Sequence, residues 1–351
     1  MSRSARRPSS AAPAPEEPLL PVLRACADPV RLSILRLLAR DAFAVAELAT
    51  VLGLGQATVS HHLKQLVEAE LVTARRDGTH SYYRRAPTPA PGAGAAVAAT
   101  VLETLDARPL PEDTAAAVEG VFETRAERSR VFFERHAEDF DAARELIATP
   151  DRYLTELADL LPERGNRALE VGPGLGEFLP TLAARFETVV ALDVSPLMLE
   201  RARARCERAG LRQVRFEAGE PPAPDALLRP EALAEPFDVV VIAMVLHHVP
   251  RPEELLTRSA ALLAPGGALL VAELCPHAQD WVGEACGDVW RGIDPDHLDR
   301  WAREAALEPG PGQFLALRNG FRVQTRRYRR PSPADAVIQE PRTHRTTETP
   351  R

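Results

Sequence analysis

The stretch Arg167-Ala168-Leu169-Glu170-Val171-Gly172-Pro173-Gly174-Leu175-Gly176 decides the fold of most of the chain. A short apolar run ends in three glycines spaced two apart. The run reads as a buried strand, and the glycines let the backbone bend sharply while a ligand approaches it. Dinucleotide-binding loops place their last glycine three residues after the second. Here Gly176 follows Gly174 by two, and residue 177 is Glu. A second apolar run, Thr188–Asp193, ends on a carboxylate 21 residues after Gly172. A carboxylate at that place can accept both hydroxyls of a ribose diol.

Outward from this stretch the hydrophobic period keeps switching. Helices are expected at Phe178–Phe186, Pro196–Ala209 and Glu253–Leu263. Strands are expected at Val214–Glu217, Phe237–Ala243 and Ala268–Glu273. Such alternation predicts a parallel sheet covered on both faces. Leu315–Leu317 and Phe321–Thr325 flank Asn319-Gly320 and read as a terminal antiparallel hairpin. Upstream, Ala95–Leu105 and Asp113–Phe140 read as helices, and Asp151 is expected to cap another that runs through Leu161.

Residues 170–176 resemble the first motif of class I S-adenosylmethionine (SAM) methyltransferases. Ala191-Leu192-Asp193-Val194-Ser195-Pro196-Leu197-Met198-Leu199 resembles their second. Phe237–Val249 and Leu263–Leu269 are similar to their fourth-strand and fifth-strand segments. The resemblance covers about residues 130–328 and implies a Rossmann-like α/β domain with SAM as cofactor. It implies that Glu170, Gly172, Gly174 and Gly176 form the loop facing the methionine part, with Ala243 at the end of the fourth strand. It further implies that Asp193 binds the ribose, that Met198 packs near the adenine, and that Glu220 lies near its amino group. The family more often has Asp at position 220. Methyl transfer needs alignment and water exclusion rather than a dedicated nucleophile. His247 and His248 are the candidates to take a proton from an acceptor. A structural histidine bonded to backbone is the plain alternative for each. Cys275–Trp281 and Trp290–Gly292 are candidate linings of an acceptor pocket.

The first 86 residues read differently. Asp28-Pro29 is an N-cap followed by a helix-starting proline. Helices are expected at Leu19–Ala27, from Pro29, at Val45–Leu52 and at Gln56–Glu70, with Gly53-Leu54-Gly55 turning between the last two. Val59, Leu63, Leu66 and Val67 should point inward. Two β-prone runs then flank Asp77-Gly78, a hairpin signal. Helix, turn, helix and hairpin make a winged helix-turn-helix, mainly α with a β-hairpin wing. Gln56, Thr58, Ser60, His61 and Lys64 would face bases and phosphates, with Arg75, Arg76 and His80 near the wing tip. The block Ala27–Leu35, Glu47–Ala49, Ser60–Leu66, Gly78 and Tyr82-Tyr83 resembles ArsR-type winged-helix repressors. That resemblance implies a homodimer on a two-fold DNA operator. The family's metal cysteines are missing from Phe43–Ala49, so no metal is expected.

Charge agrees with this division. The chain has 43 basic and 50 acidic side chains, net −7, and one lysine. Residues 19–86 carry nine basic against six acidic groups, net +3, which leaves the rest at −10. A basic block on an acidic body suits a local polyanion contact. The longest apolar run, Val239–Leu246, is far below the ~20 residues of a membrane span. The arginine-bearing start lacks an apolar core after it, and four scattered cysteines form no framework, so a cytoplasmic protein is expected. The expected organisation is a disordered tail at 1–18, a winged domain at 19–86, a connector at 87–129, the methyltransferase-like domain at 130–330 and a disordered tail at 331–351.

Three functions fit these parts. One is a DNA-binding transcriptional regulator fused to a SAM-dependent enzyme that methylates a small molecule. Another is a non-catalytic regulator that senses SAM or its demethylated product. A DNA methyltransferase is disfavoured. The segment after the fourth strand, Ala243–His248, is no Asn/Asp-Pro-Pro-aromatic loop, and Cys275-Pro276 reverses the Pro-Cys order that a cytosine-carbon enzyme needs.

Overall fold

A computed structural model describes residues 19–39, 41–77, 80–86, 93–136, 147–226, 230–277, 279, 281–282 and 286–338; for 75–77, 80, 93, 133–136 and 336–338 it describes the backbone alone. The chain divides into two compact units between Val121 and Phe122.

In the first unit α1 (Leu19–Cys26) leads into α2 (Pro29–Leu37). Asp28 caps α2 as expected, its Oδ1 accepting the Arg31 N–H at 3.0 Å. The Arg31 guanidinium is buried and donates to the carbonyls of Arg24 and Ala25 at 2.7 Å each, which satisfies the last turn of α1. It also donates to Gln65 Oε1 at 2.5 Å, which ties the start of α2 to the second helix of the pair. That pair is α3 (Val45–Leu52) and α4 (Gln56–Glu68). Gly53 ends α3 at φ +63°, the left-handed conformation that glycine adopts without strain. Val59, Leu63 and Leu66 are buried on one face of α4. Val67 is not; it is 37% exposed. It follows Leu66 by one residue, about 100° around the helix, and so leaves the apolar stripe.

The wing is β2 (Val72–Asp77) paired antiparallel with β3 (His80–Arg85), from Val72 opposite Arg85 to Asp77 opposite His80. The expected turn residue Gly78 lies outside the described residues. A third strand, β1 (Phe43–Ala44), which no pattern in the sequence marks, pairs with β3 through Tyr83 and Tyr82. The α5 helix (Ala93–Asp106) packs on α1 and α2. Arg85 donates to Leu35 O and, with two 2.8 Å bonds, to the Asp106 carboxylate. The α6 helix (Glu112–His136) contains the division between the units. The expected end of that helix, near Phe140, is outside the described residues.

The second unit is built on a seven-stranded sheet. Its strands are β4 (Gly165–Val171), β5 (Phe186–Asp193), β6 (Val214–Ala218), β7 (Phe237–Ala243), β8 (Leu263–Leu274), β9 (Glu308–Ala316) and β10 (Arg322–Arg329). The order is β6-β5-β4-β7-β8-β10-β9. The strands from β6 to β8 are parallel, and β10 runs antiparallel between β8 and β9. Successive residues bury against opposite faces. Ala168, Val189, Ala191, Val239 and Val241 enter one core, while Leu169, Val190, Leu192, Val240 and Ile242 enter the other. Both faces are therefore dry, which explains the unbroken apolar runs. This is the Rossmann-like α/β architecture that the resemblance implies. Its order reverses between β4 and β7, and ligands of such sheets bind outside the carboxyl ends there.

Several boundaries differ from the sequence reading. The helix before β4, α7, is Pro150–Asp159; Thr149 is its N-cap residue, and Asp151 sits in the first turn instead of capping it. The helix after the glycines, α8, ends at Ala183, and Phe186 begins β5 rather than closing a helix. The remaining helices are α9 (Pro196–Arg208), α10 (Pro252–Ala261) and α11 (Pro295–Glu304). Pro333–Ile338 are helical, and Arg329 holds Asp335 at 2.7 Å, so order continues past the expected start of the tail at 331. Residues 1–18 and 339–351 lie outside the described set. Among the described residues no helix is long and apolar enough to cross a membrane.

Candidate functional site

Gly172, Gly174 and Gly176 all have positive φ, at +66°, +54° and +73°. A Cβ on Gly172 would lie 2.5 Å from Val245 Cγ2, and one on Gly176 about 3 Å from Leu179 and Ala202. The turn therefore needs glycine for its conformation and for close packing. The Gly172 N–H donates to Leu192 O at 2.8 Å, which locks the exit of β4 to β5. Met244 leaves β7 at φ +56°, a strained conformation for a residue with a side chain. That reversal sets Val245 over Gly172. Sequence reasoning missed both residues, because a positive φ at methionine leaves no mark in composition.

Two carboxylates stand at this edge. Glu170 is 3% exposed, and its Oε2 has no hydrogen-bond partner among the described residues. Burial, with the charges of Glu177 and Asp193, pushes its carboxyl up to about 8. Asp193 is pushed up to about 6 by burial, against the pull of backbone N–H groups of Ser195 and Val194. Its Oδ1 accepts the Ser195 N–H at 2.8 Å, and its carbonyl accepts the Gly219 N–H at 2.9 Å. Ser195 caps α9 through Met198 N, and Met198 is buried. Ala243 closes β7 beside Ala272 of β8. Glu220 is exposed and paired with Arg258 at 3.2 Å. A ligand at Glu220 must share it with that guanidinium.

His247 and His248 follow β7 in a short 3-10 turn, their rings 4.0 Å apart. His247 Nδ1 meets Glu273 Oε1 at 2.5 Å, and its N–H donates to Glu273 Oε2 at 3.2 Å. Burial opposes charge on His247, but Glu273 and Asp288 outweigh it and hold the ring protonated, up to about 9. His248 moves the other way, well down, through burial and the neighbouring His247, although a bond to the Gly287 backbone opposes this. The expected proton-acceptor pair thus splits. A ring held cationic at neutral pH has no electron pair to accept a proton, while a neutral one has. Asp288 lies against both rings, 3.8 Å from His247 Nε2 and 3.6 Å from His248 Nδ1. Neither Glu273 nor Asp288 stands out in the sequence, because nothing local links them to histidines so distant in the chain.

Of the proposed pocket lining, His277 and Trp281 pack edge-on to Phe321, and Trp290 Nε1 donates to Val249 O at 2.8 Å. In the first unit Gln56, Thr58, Ser60, His61 and Lys64 are all exposed on α4, as the sequence predicts. Arg75, Arg76 and His80 fall within the wing strands, and their side chains lie outside the described set.

Residues 140–309 match the family model of a methyltransferase domain, and residues 27–75 that of a helix-turn-helix domain. The chain carries both domains. Its methyltransferase domain is 34% identical over 109 residues to the demethylmenaquinone methyltransferase of Tropheryma whipplei (strain Twist), which is 31% of this chain and 42% of that protein. It is 39% identical over 113 residues to the ubiquinone biosynthesis O-methyltransferase of Caulobacter sp. (strain K31), 32% of this chain and 42% of that one. The chain thus spans less than half the length of either relative. The solved N-methyltransferase NodS from Bradyrhizobium japonicum WM9, in complex with S-adenosyl-L-homocysteine, aligns at TM-score 0.41 and 21% identity. That alignment covers 55% of this chain and 98% of NodS.

The methyltransferase domain has features that suit SAM. Glu170 presents a buried carboxylate oxygen beside a glycine turn that no larger residue can replace, and this fits a cationic, amino-bearing ligand. Asp193, at the end of the adjoining strand β5, suits a diol.

Proposed function

We propose that this chain is a DNA-binding transcriptional regulator whose methyltransferase domain uses SAM to methylate a small-molecule acceptor. The observation that carries the enzymatic half is a pair of carboxylates, buried Glu170 and half-buried Asp193, on adjoining strand ends beside a turn of close-packed glycines. When bound, SAM supplies an electrophilic methyl group on a sulfonium. The residues do the rest by placement. Glu170 and the turn Gly172–Gly176 hold the methionine part, and ionised Glu170 answers its ammonium. Asp193 accepts the ribose hydroxyls, Met198 covers the adenine, Glu220 borders it, and Ala243 lies at the end of β7 beside the glycine turn. Dry packing under β4, β5 and β7 fixes these groups before the ligand arrives, so alignment costs little on binding. Of the two histidines, neutral His248 is suited to accept a proton from the acceptor, while His247 is held cationic.

The regulatory half rests on the exposed polar face of α4, which Arg31 fixes to α1 through Gln65. Gln56, Thr58, Ser60, His61 and Lys64 read the major groove, with Arg75, Arg76 and His80 on the wing. The ArsR-like arrangement acts as a cytoplasmic homodimer on a two-fold operator. The curated relatives' names, which point to quinone-type and O-methyl acceptors, favour a small molecule over DNA as the acceptor.

Purified chain incubated with methyl-labelled SAM and a metabolite extract should yield a labelled small molecule. Tight SAM binding without any labelled product would overturn turnover and leave a sensor.

A further inference from the structure

We propose that His247, His248 and Asp288 form a binding site for one divalent transition-metal ion of the zinc class. The three residues come from two loops, the turn after β7 and the segment after β8. Each offers one ligand atom, and the three atoms lie within 4.8 Å of one another. Asp288 Oδ1 is 3.8 Å from His247 Nε2 and 3.6 Å from His248 Nδ1. Hydrogen bonds between such atoms run about 2.7–3.2 Å. A tetrahedral ion with ligands at about 2.1 Å separates them by about 3.4 Å. The two Asp288 spacings sit a few tenths of an ångström above that polyhedron edge, and the imidazole–imidazole spacing, within 4.8 Å, needs the larger side-chain rotation to close.

The surroundings are those of a built site. Metal-bound imidazoles usually give their other nitrogen to a carboxylate or carbonyl, which fixes the ring. Here Glu273, 0% exposed inside β8, takes His247 Nδ1 at 2.5 Å and turns Nε2 toward Asp288. Its own orientation is set by the N–H groups of Leu274 at 2.6 Å and His247 at 3.2 Å. His248 is held by the Gly287 backbone. The N–H groups of Val289 and Trp290 both donate to His247 O at 2.9 Å, which pins the segment carrying Asp288 to the turn carrying the histidines. Gly287 has φ +72°, and a Cβ there would lie 2.3 Å from the Phe132 ring, so the residue before Asp288 is confined as well.

Ligand type selects the ion. Two imidazoles and one carboxylate suit zinc, iron(II) or cobalt(II), and disfavour magnesium and calcium, which take oxygen. A dication held by Asp288 and both neutral imidazoles would meet the carboxylates of Asp288 and Glu273, two groups whose negative charge it can balance. The side chain of His248 is 12% exposed, whereas those of His247 and Asp288 are 3% and 0%. An incoming ligand atom would therefore reach the ion from the His248 side. The task of that ion rests on the methyltransferase reading. There it would bind an acceptor hydroxyl oxygen and favour loss of its proton to solvent, the task that neutral His248 takes when no ion is bound. The existence of the site does not depend on that reading.

The test is cobalt(II) titration of the untagged, chelator-stripped full chain, read by visible d–d absorption. One equivalent should bind, with bands of four- or five-coordinate intensity. His248→Ala and Asp288→Asn should each lose those bands. Glu273→Gln should keep the stoichiometry and weaken affinity by about tenfold or more. Circular dichroism checks that the variants fold. Should Asp288→Asn fail to fold, cobalt-dependent thermal stabilisation decides, present in the wild type and absent in His248→Ala. No bands from the wild type, or bands that survive both ligand substitutions, would overturn the site. Calorimetry of S-adenosylhomocysteine on the same wild-type sample reports separately on the methyltransferase reading.

Discussion

The outer face of α4 and the turn after β4 both present polar groups to a ligand, yet they do so under opposite conditions. Ser60, His61 and Lys64 stand in water. Glu170 and Asp193 stand in a dry sheet edge, and burial has moved both carboxyls upward, to about 8 and about 6. A polyanion that meets α4 gains mainly by releasing counterions, and salt controls it. A small ligand that meets the turn must replace lost hydration with fitted partners, and pH controls it. The two regions should therefore fail under different stresses.

The sharpest break is expected at Asp193. If this half-buried carboxylate accepts two ribose hydroxyls, its removal forfeits charged hydrogen bonds worth about 1.5–3 kcal/mol each. Asp193→Ala should weaken S-adenosylhomocysteine about 100-fold or more by calorimetry, and leave operator affinity within experimental error. Asp193→Asn keeps an acceptor for the Ser195 N–H, so it tests the ligand contact with less disturbance of the turn. Affinity retained within threefold in both variants would remove Asp193 from the site.

A smaller effect sharpens the same contrast through pH. Hydroxyl donors favour the ionised form of Asp193, so ligand binding should release a proton wherever Asp193 is protonated beforehand. Affinity should then fall as pH drops below about 6, by about tenfold per unit at the steepest. Glu170 has the same sign at a higher range. Its acid is largely protonated at neutral pH, an ammonium partner ionises it, and affinity should climb until about pH 8. Calorimetry in buffers of different ionisation enthalpy counts these protons. Asp193→Asn should erase the lower step and Glu170→Gln the upper. A pH-independent affinity across both ranges would show that neither carboxylate meets the ligand. Operator binding should share neither step.

The sequence was most legible where one physical constraint acts on consecutive residues. Strands buried on both faces cannot hide, and β7 was read at its true ends, Phe237 and Ala243. The glycine turn was equally plain, because three positive φ values within five residues strongly favour glycine at each. Reading failed where two constraints compete or act at a distance. Phe186 follows Leu182 by four, so it fits a helix face as well as a strand start, and contact with β4 decided for the strand. Phe43-Ala44 is too short to show an alternation. Asp288 and Glu273 meet His247 only because β7 and β8 are neighbours in the sheet. The carboxylates beside the glycine turn were thus visible, and those that act on the histidines were not.

The gentlest test lies on α4. Lys64 is exposed and stands 3.9 Å from Glu68, one turn further along the helix. Such a surface pair is worth about 0.3–0.5 kcal/mol, so Lys64→Ala should fold normally. If Lys64 neutralises one phosphate, its loss removes about one released counterion. Operator affinity should fall several-fold in gel shift or fluorescence anisotropy at low salt. The slope of log affinity against log salt should become shallower by about 0.9. A lysine that instead contacted a base edge would leave that slope unchanged and relax preference at one position, which would move Lys64 from anchoring the helix to reading the operator. Binding of S-adenosylhomocysteine should not respond to this substitution, since the proposed site draws only on residues of the other unit.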